Sequence, residues 1–207
     1  MESPTNMSFR PPRIGDLAPD FRARSTAGEI QLSELRGQWV LFFSHPADFT
    51  PVCSTEFAEL ARRQHEFEAL GCTLLGLSVD SLYSHLAWIR AIRELFGAEV
   101  HFPILEDPSM VIGRAYGMID EQSPDSTTMR STFFIDPQGI IRASTCYPHN
   151  VGRSVDEMLR LLKALQQVSA DAVLTPEGWE HGKPLLHLPA EHPGDGKDWF
   201  CRFVEAS

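Results

Sequence analysis

Apolar and polar positions along the chain form blocks that predict strands alternating with helices. Residues 40–44 and 73–79 are short and almost wholly apolar, which is typical of buried strands. Each is followed by a longer segment in which apolar residues recur every three or four positions, and this spacing predicts an amphipathic helix. Gly71 ends the first of these helices, and residues 80–81 form a cap for the second.

The second half of the chain adds a pair of strands and a closing helix. The predicted elements are a short strand at 102–105, a helix from 107 to 117, and strands at 131–135 and 139–145 joined by a turn. A capping box formed by Ser154 and Glu157 begins the last helix. Parallel β-α units followed by a hairpin and a helix predict an α/β fold, a thioredoxin-like three-layer sandwich.

The composition changes after about Ser169. Proline and glycine become frequent and the helical periodicity fades. Apolar residues nevertheless persist in this tail: Trp179, Leu185, Leu186, Leu188, Trp199 and Phe200. We therefore expect residues 1–168 to form the thioredoxin-fold domain and residues 169–207 to form a C-terminal extension. This extension is expected to pack on its own domain or, as a dimerisation segment, on a second subunit.

Charge and hydropathy exclude two classes of partner. The formal net charge of the 207 residues is -10, and no basic stretch offsets it, so a nucleic-acid partner is not expected. No apolar run approaches the length of a membrane-spanning helix, so no membrane partner is expected either. Residues 1–8 are polar and lack the apolar core of a secretory signal, which makes the cytoplasm the expected compartment.

The four cysteines are the candidates for chemistry, and they are widely spaced: Cys53, Cys72, Cys146 and Cys201. None belongs to a C-x-x-C pair, which argues against a zinc site and against a dithiol oxidoreductase. In a reducing compartment an isolated cysteine is either a small buried hydrophobe or a reactive thiol.

The surroundings of Cys53 favour the reactive alternative. Thr50 is a good N-cap residue, and Pro51 suits the first helical position, where its missing N–H costs nothing. Cys53 then lies in the first turn, among backbone N–H groups that have no helical partner. These donors and the helix dipole favour a nucleophilic thiolate. The competing interpretation is a buried cysteine that only fills space.

The segment Pro46-x-x-x-Thr50-x-x-Cys53 resembles the signature of the peroxiredoxins, where it follows a buried strand and opens a helix, as here. Further similarity extends along most of the chain, at residues 15–21, 130–137, 147–148, 151–157 and 175–179. Together with His45 before Pro46, these segments resemble the one-cysteine subfamily related to peroxiredoxin 6, which carries a C-terminal extension.

The resemblance implies a role for each residue of the motif. Cys53 would attack the distal peroxide oxygen and become a sulfenic acid. Arg130 would stabilise the thiolate and orient the peroxide. Thr50 would donate its hydroxyl to the peroxide or the sulfur, serve as the helix cap, or do both. Pro46 would shield the sulfur from water; its alternative is an ordinary loop proline.

Three further residues are candidates for the surroundings of this site. His45 is either a structural hydrogen-bonding group or a catalytic one. Glu56 would orient Arg130 or a second arginine, Arg153; its alternative is simple complementarity to the helix dipole.

The other cysteines decide the catalytic cycle. Cys72 is expected in the core, and Cys146 has no functional explanation. Cys201 is the candidate resolving cysteine, since some microbial relatives of the resembled subfamily pair a C-terminal cysteine with the peroxidatic cysteine of a partner subunit. The alternative is a one-cysteine cycle in which an external thiol reduces the sulfenic acid.

The sequence thus predicts a thiol-dependent peroxidase that reduces hydrogen peroxide and organic hydroperoxides. It would require no cofactor and no metal, because the thiolate supplies the electrons and an external thiol (thioredoxin, glutaredoxin or a small thiol) restores it. A peroxide sensor and an oligomeric holdase chaperone are the alternatives on the same fold. A homodimer is expected, with further assembly into a ring left open.

Overall fold

The apolar runs of the sequence form the middle of a seven-stranded mixed sheet in the computed structural model. The structure describes residues 10–119, 125–189 and 200–205. The strands of the large sheet are β1 Arg22–Ser25, β2 Gly28–Gln31, β3 Trp39–Ser44, β4 Cys72–Ser78, β5 Ile104–Glu106, β6 Arg130–Ile135 and β7 Ile141–Tyr147. The helices are α1 Pro51–Ala69, α2 Leu82–Phe96, α3 Val111–Ala115 and α4 Val155–Ala170, with a 3-10 helix at Leu32–Leu35.

The strand order in the large sheet is β2-β1-β5-β4-β3-β6-β7. β3 and β4 are parallel, as are β4 and β5, whereas β6 runs antiparallel to both β3 and β7. All six residues of β3 and all six of β6 are buried, so the centre of the sheet is interior. This is the thioredoxin-like α/β fold that the order of elements predicted.

Alternate residues of β3 pack on opposite faces of the sheet. On one face the ring of Phe42 lies 4.9 Å from that of Tyr116, measured between centroids. On the other face Phe43 lies 5.5 Å from Phe57 of α1. Gly76 of β4 makes room for this helix, because a Cβ at this position would lie 3.3 Å from the Phe57 ring. The sequence therefore fixes α1 closely against the sheet.

The helices follow the predicted bounds with one exception. Ser81 caps α2 by accepting a hydrogen bond from a backbone N–H of the first turn, and Gly97 ends the helix with φ 63°. The third helix, predicted from residue 107, begins only at Val111. Asp107 instead forms a turn, in which its carboxylate accepts a 2.7 Å hydrogen bond from the N–H of Gly113. Among the described residues, no helix is long and apolar enough to cross a membrane.

The chain divides into two compact units, Met1–Arg153 and Ser154–Ser207. The second unit contains α4 and a small antiparallel sheet of β8 Val173–Leu174, β9 Leu185–His187 and β10 Phe203–Val204. The domain boundary expected after residue 168 stays a prediction from composition.

The second unit has a small core of its own. The Ser154 hydroxyl accepts a 3.3 Å hydrogen bond from the Glu157 N–H, which is one half of the predicted capping box. Trp179 is buried with Ala164 of α4 and Leu185 of β9. Trp199, the other tryptophan of the predicted tail, lies outside the described residues.

Candidate active site

The first turn of α1 holds the candidate nucleophile. Thr50 occupies the N-cap position with extended backbone angles (φ -93°, ψ 146°), and Pro51 follows at the first helical position. The Thr50 hydroxyl does not cap the helix; it donates instead to the carbonyl of Ala47, at 2.8 Å. Cys53 lies two residues after Pro51 and is completely buried. Its sulfur therefore lies in the first turn, as the sequence predicted.

Arg130 brings a positive charge to this sulfur. It is the first residue of β6, which lies beside β3 in the sheet, and it is almost completely buried. Its Nη1 lies 3.3 Å from the Cys53 Sγ. Its Nε and Nη2 both donate to the carbonyl of His149, at 3.0 and 2.7 Å. Contacts on both sides of the guanidinium thus fix its orientation toward the sulfur.

Glu56 connects this arginine to a second one. Its Oε2 accepts hydrogen bonds from Arg130 Nη1 at 2.8 Å and from Arg153 Nη2 at 2.9 Å. Its Oε1 accepts from the backbone N–H and the Nε of Arg153, at 2.7 and 3.0 Å. Burial alone would raise the pKa of Glu56, but the hydrogen bonds and charge of Arg153, together with the charge of Arg130, hold it below its ordinary value.

The charge of this cluster favours an anion at the sulfur. Two arginines face one ionised glutamate, and all three side chains are buried. Arg153 is also held by the Ser131 carbonyl at 2.9 Å. A buried group of charges is stable only when its charges are paired, so this cluster of two positive charges and one negative charge favours a further negative charge beside Arg130.

The loop between β3 and α1 contributes buried side chains just before the helix of Cys53. His45 and Pro46 are both buried. The His45 Nε2 lies 2.9 Å from the carboxylate of Asp48, whose other oxygen lies 2.9 Å from Nδ1 of His85 on α2. The His45 Nδ1 is buried and has no hydrogen-bond partner in the described part of the chain, so neither ring nitrogen of His45 bonds to Cys53.

Two residues of this loop and one of α2 form the group among the described residues that could hold a metal ion. The ligand atoms of His45, Asp48 and His85 lie within 4.8 Å of one another. Each histidine already lies at hydrogen-bonding distance, 2.9 Å, from the carboxylate. We therefore interpret the three side chains as a hydrogen-bonded network and not as metal ligands.

The remaining cysteines lie in different surroundings. Cys72 begins β4 and is buried, and burial raises the pKa of its thiol to about 12. Cys146 is exposed on β7, where its sulfur lies 3.7 Å from the Ser131 hydroxyl. Cys201 is exposed in the second unit. All four cysteines are free thiols.

The structure thus connects four of the predicted residues through direct contacts: Cys53, Glu56, Arg130 and Arg153. Thr50 lies at the start of the same helix, and its hydroxyl bonds to Ala47. Sequence reasoning missed Asp48 and His85. A signal for His85 was present, because it lies on the face of α2 that also carries the buried Trp88 and Ile92, where a polar residue needs a specific partner.

A buried thiol at the start of a helix, faced by a fixed guanidinium in a thioredoxin-like fold, defines a thiol-dependent peroxidase. The sequence profile described as the AhpC/TSA family matches residues 14–144, and the chain belongs to this family.

Relatives and solved structures agree with this assignment. Peroxiredoxin 2 of Thermoplasma acidophilum is 45% identical over 201 residues, covering 93% of this chain and 100% of that protein. A peroxiredoxin of Aquifex aeolicus is 46% identical over 169 residues, 81% of this chain and 76% of that protein. The structure of a yeast mitochondrial 1-Cys peroxiredoxin has a TM-score of 0.85 at 34% identity, covering 94% of this chain and 99% of that one. The structure of a mutant of peroxiredoxin 6 of Arenicola marina has a TM-score of 0.80 at 30% identity, covering 90% of this chain and 86% of that one.

Fold, site and relatives together establish the activity. The chain is a thiol-dependent peroxidase, for which the family implies a peroxide substrate and a thiol reductant. The sensor and holdase alternatives are not favoured, since the similarity to peroxiredoxins extends over most of the chain.

Proposed function

We propose that Cys53 is the peroxidatic nucleophile. The observation that carries this proposal is the 3.3 Å contact between Arg130 Nη1 and the Cys53 sulfur, at the start of α1. The thiolate attacks the distal oxygen of the hydroperoxide, a sulfur–oxygen bond forms and the oxygen–oxygen bond breaks. Sulfur loses two electrons to become a sulfenic acid, and the leaving oxygen takes a proton to become water or an alcohol.

We assign to Arg130 and Thr50 the direct contacts with the bound hydroperoxide. Arg130 stabilises negative charge on the attacking sulfur and on the leaving oxygen, because its guanidinium is fixed before the reaction begins. The Thr50 hydroxyl donates its hydrogen bond to the Ala47 carbonyl. Its oxygen is therefore left with lone pairs, and we assign it to accept a hydrogen bond from the peroxide O–H.

Glu56, Arg153 and Pro46 support this arrangement without touching the substrate. Glu56 and Arg153 hold Arg130 in place through the buried ion pairs described above. Pro46, buried in the loop after β3, keeps water from the sulfur. His45 is assigned to the same loop as a structural hydrogen-bonding group, since its Nε2 pairs with Asp48.

Because Cys53 is buried, its sulfur must become accessible before a thiol can reduce the sulfenic acid. A small hydroperoxide needs only a narrow path, but a protein thiol cannot reach a sulfur that is completely covered. We therefore propose that the first turn of α1 opens locally after oxidation, which is a low-cost motion for a helix end.

We propose a one-cysteine cycle in which an external thiol reduces the sulfenic acid. The related yeast protein is a 1-Cys peroxiredoxin whose thiol resolving mechanism involves glutathione and thioredoxin systems. Thioredoxin, glutaredoxin and a small thiol are the candidate reductants for this chain. Cys201 is the alternative resolving thiol, because it is free and exposed. Free cysteines also support a reducing compartment such as the cytoplasm.

Intact mass after one equivalent of hydrogen peroxide, without reductant, tests this cycle. Wild type and Cys201→Ser are compared, with Cys146→Ser as the matched control because Cys146 is also exposed. A trapped sulfenic acid at Cys53 and no disulfide in all three proteins supports the one-cysteine cycle. A Cys53–Cys201 disulfide that only Cys201→Ser lacks would assign Cys201 as the resolving cysteine.

We further propose that the segment 169–207 forms a homodimer contact. Its described part exposes large apolar side chains, which include Leu174, Leu188, Phe200 and Phe203. Sedimentation of wild type and Leu188→Glu tests this. A dimer that weakens in the variant supports the proposal, and an unchanged association constant would contradict it.

A further inference from the structure

Three buried polar side chains connect the loop before Cys53 to α2. His45, Asp48 and His85 have almost no exposed surface. His85 lies 2.9 and 3.1 Å from the two carboxylate oxygens of Asp48 through its Nδ1, and 3.2 Å from the Leu105 carbonyl through its Nε2. The mechanism above gives none of these contacts a role beyond structure.

The hydrogen-bond partners of His85 indicate which of its ring nitrogens carry protons. A carbonyl oxygen can only accept, so the Nε2 of His85 carries a proton that it donates to Leu105. Burial alone would raise the pKa of Asp48, but hydrogen bonds from His45 and His85 hold it well below its usual range, so its carboxylate only accepts as well. The Nδ1 of His85 therefore carries a second proton, which lies between the ring and Asp48.

The same reasoning assigns the tautomer of His45. Its Nε2 must donate to the Asp48 carboxylate. Burial lowers the pKa of His45, so its ring is neutral and holds a single proton. The Nδ1 is consequently an unprotonated acceptor, which is buried and has no partner among residues 10–119, 125–189 and 200–205. Asp48 thus determines which nitrogen of His45 carries the proton.

Asp48 also holds the backbone of the loop. Its N–H donates to the carboxylate of Asp80 at 3.0 Å. The next residue, Phe49, adopts a left-handed conformation with φ 57°, which a side chain with a Cβ disfavours. Such a conformation persists only where neighbouring contacts impose it, and His85 holds the side chain of Asp48, the residue before Phe49.

We propose that His85 is a positioning residue of the peroxide reaction, which through Asp48 fixes His45 in its Nε2–H form and holds the loop that leads into the helix of Cys53. This inference rests on the proposed role of Cys53. His85 acts at a distance from the sulfur, through the carboxylate that it orients and through the loop that contains Pro46 and Thr50.

Histidine ring protons give the direct test. Two-dimensional proton–nitrogen spectra of wild type labelled with nitrogen-15 histidine are expected to show His85 protonated on both nitrogens and His45 protonated on Nε2 alone. A single ring proton on His85, or an Nδ1–H form of His45, would overturn the proposal without any variant.

Variants then connect the tautomer to the reaction. His85→Leu removes the donor to Asp48, so we expect mixed tautomers of His45 and a rate constant of Cys53 with hydrogen peroxide about tenfold lower. His85→Asn keeps an N–H donor for Asp48 and is expected to restore the Nε2–H form and most of the rate. His101→Leu, at an exposed histidine, is the control. An unchanged rate and tautomer in folded His85→Leu would refute the proposal. If Cys53 of wild type is not oxidised at all, the proposed function itself fails.

Discussion

Cys53 and Cys72 are both buried cysteines of the first unit, but their surroundings are opposite. Cys53 lies in the first turn of α1 with the Arg130 guanidinium 3.3 Å from its sulfur. Cys72 begins β4, its sulfur lies 3.9 Å from the carbonyl of Thr73, and burial raises its pKa to about 12. Burial therefore does not decide whether a thiol is reactive; the charges and donors that face the sulfur do.

The comparison also shows what a reactive thiol requires from the rest of the fold. Cys72 needs only apolar packing. Cys53 needs a helix start and a carboxylate, which α1 itself supplies, and an arginine from β6, which lies 77 positions further along the chain. Each of these requirements can be removed separately.

Replacing the two buried cysteines by serine, one at a time, is expected to give the largest difference in peroxidase activity. Cys53→Ser is expected to abolish peroxide consumption in the presence of dithiothreitol, because the nucleophile is lost. Cys72→Ser is expected to remain active, because its thiol takes no part in the reaction. Peroxide consumption by the two folded variants checks this. Equal losses in both would remove the distinction between the two cysteines.

Removing the charge that faces Cys53 is expected to have the next largest effect. Arg130→Gln should lower the rate constant for Cys53 oxidation by about 10²–10³-fold, as for the loss of a fixed donor to developing charge. Stopped-flow measurement with hydrogen peroxide checks this. Arg142→Gln, which removes a half-exposed arginine from β7, is the control and should change the rate by less than about twofold. A loss below tenfold in Arg130→Gln would contradict the role of the guanidinium.

The carboxylate that holds this arginine should make stability depend on pH. The pKa of Glu56 is lower in the folded protein than its ordinary value of 4.5, so its ionised form stabilises the fold above about pH 4.5, and this stabilisation is lost as the pH falls further. Glu56→Gln should lower the free energy of unfolding by about 3 kcal/mol at pH 7, the scale for breaking a buried pair, and by less below pH 4.

Urea unfolding at the two pH values checks this prediction. Glu59→Gln is the matched control, because Glu59 is on the same helix but forms a half-exposed pair with Arg62. Its effect should stay within about 0.5 kcal/mol at both pH values. A loss in Glu56→Gln that does not change with pH would show that the carboxylate charge is not what stabilises the cluster.

Alkylation of Cys72 has the smallest expected effect. The rise of its pKa from 9.0 to about 12 means that its thiolate fraction near pH 8 is about 10³-fold lower than that of an ordinary thiol. Iodoacetamide should therefore label the exposed Cys146 and Cys201 and leave Cys72 unmodified, as peptide mapping would show. Early labelling of Cys72 would contradict its assignment to the core.

Local sequence patterns were sufficient to predict the helix start at Cys53 and the central strands of the fold. Thr50 and Pro51 are consecutive signals of a helix start that place Cys53 in the first turn, and the apolar runs of β3 and β4 are evident in the sequence. The contact of Arg130 with Cys53 joins residues 77 positions apart, so no local pattern reveals it, and only the family resemblance pointed to it.

Other features could not be predicted because their signals are weak or depend on geometry. The strands β1 and β2 have no apolar run, and Ser25 is the one fully buried residue in them. The Thr50 hydroxyl bonds to Ala47 and not to the helix, a choice set by the shape of the loop. Asp48 and His85 lie 37 positions apart and meet only when α2 packs beside the loop.

Oxidation by less than one equivalent of hydrogen peroxide, followed by trapping of sulfenic acid with dimedone and peptide mapping, tests the central claim most directly. We predict that the adduct forms at Cys53 and that Cys72 remains a thiol. An adduct at Cys72, or none at Cys53, would contradict the assignment of reactivity to the thiol that faces Arg130.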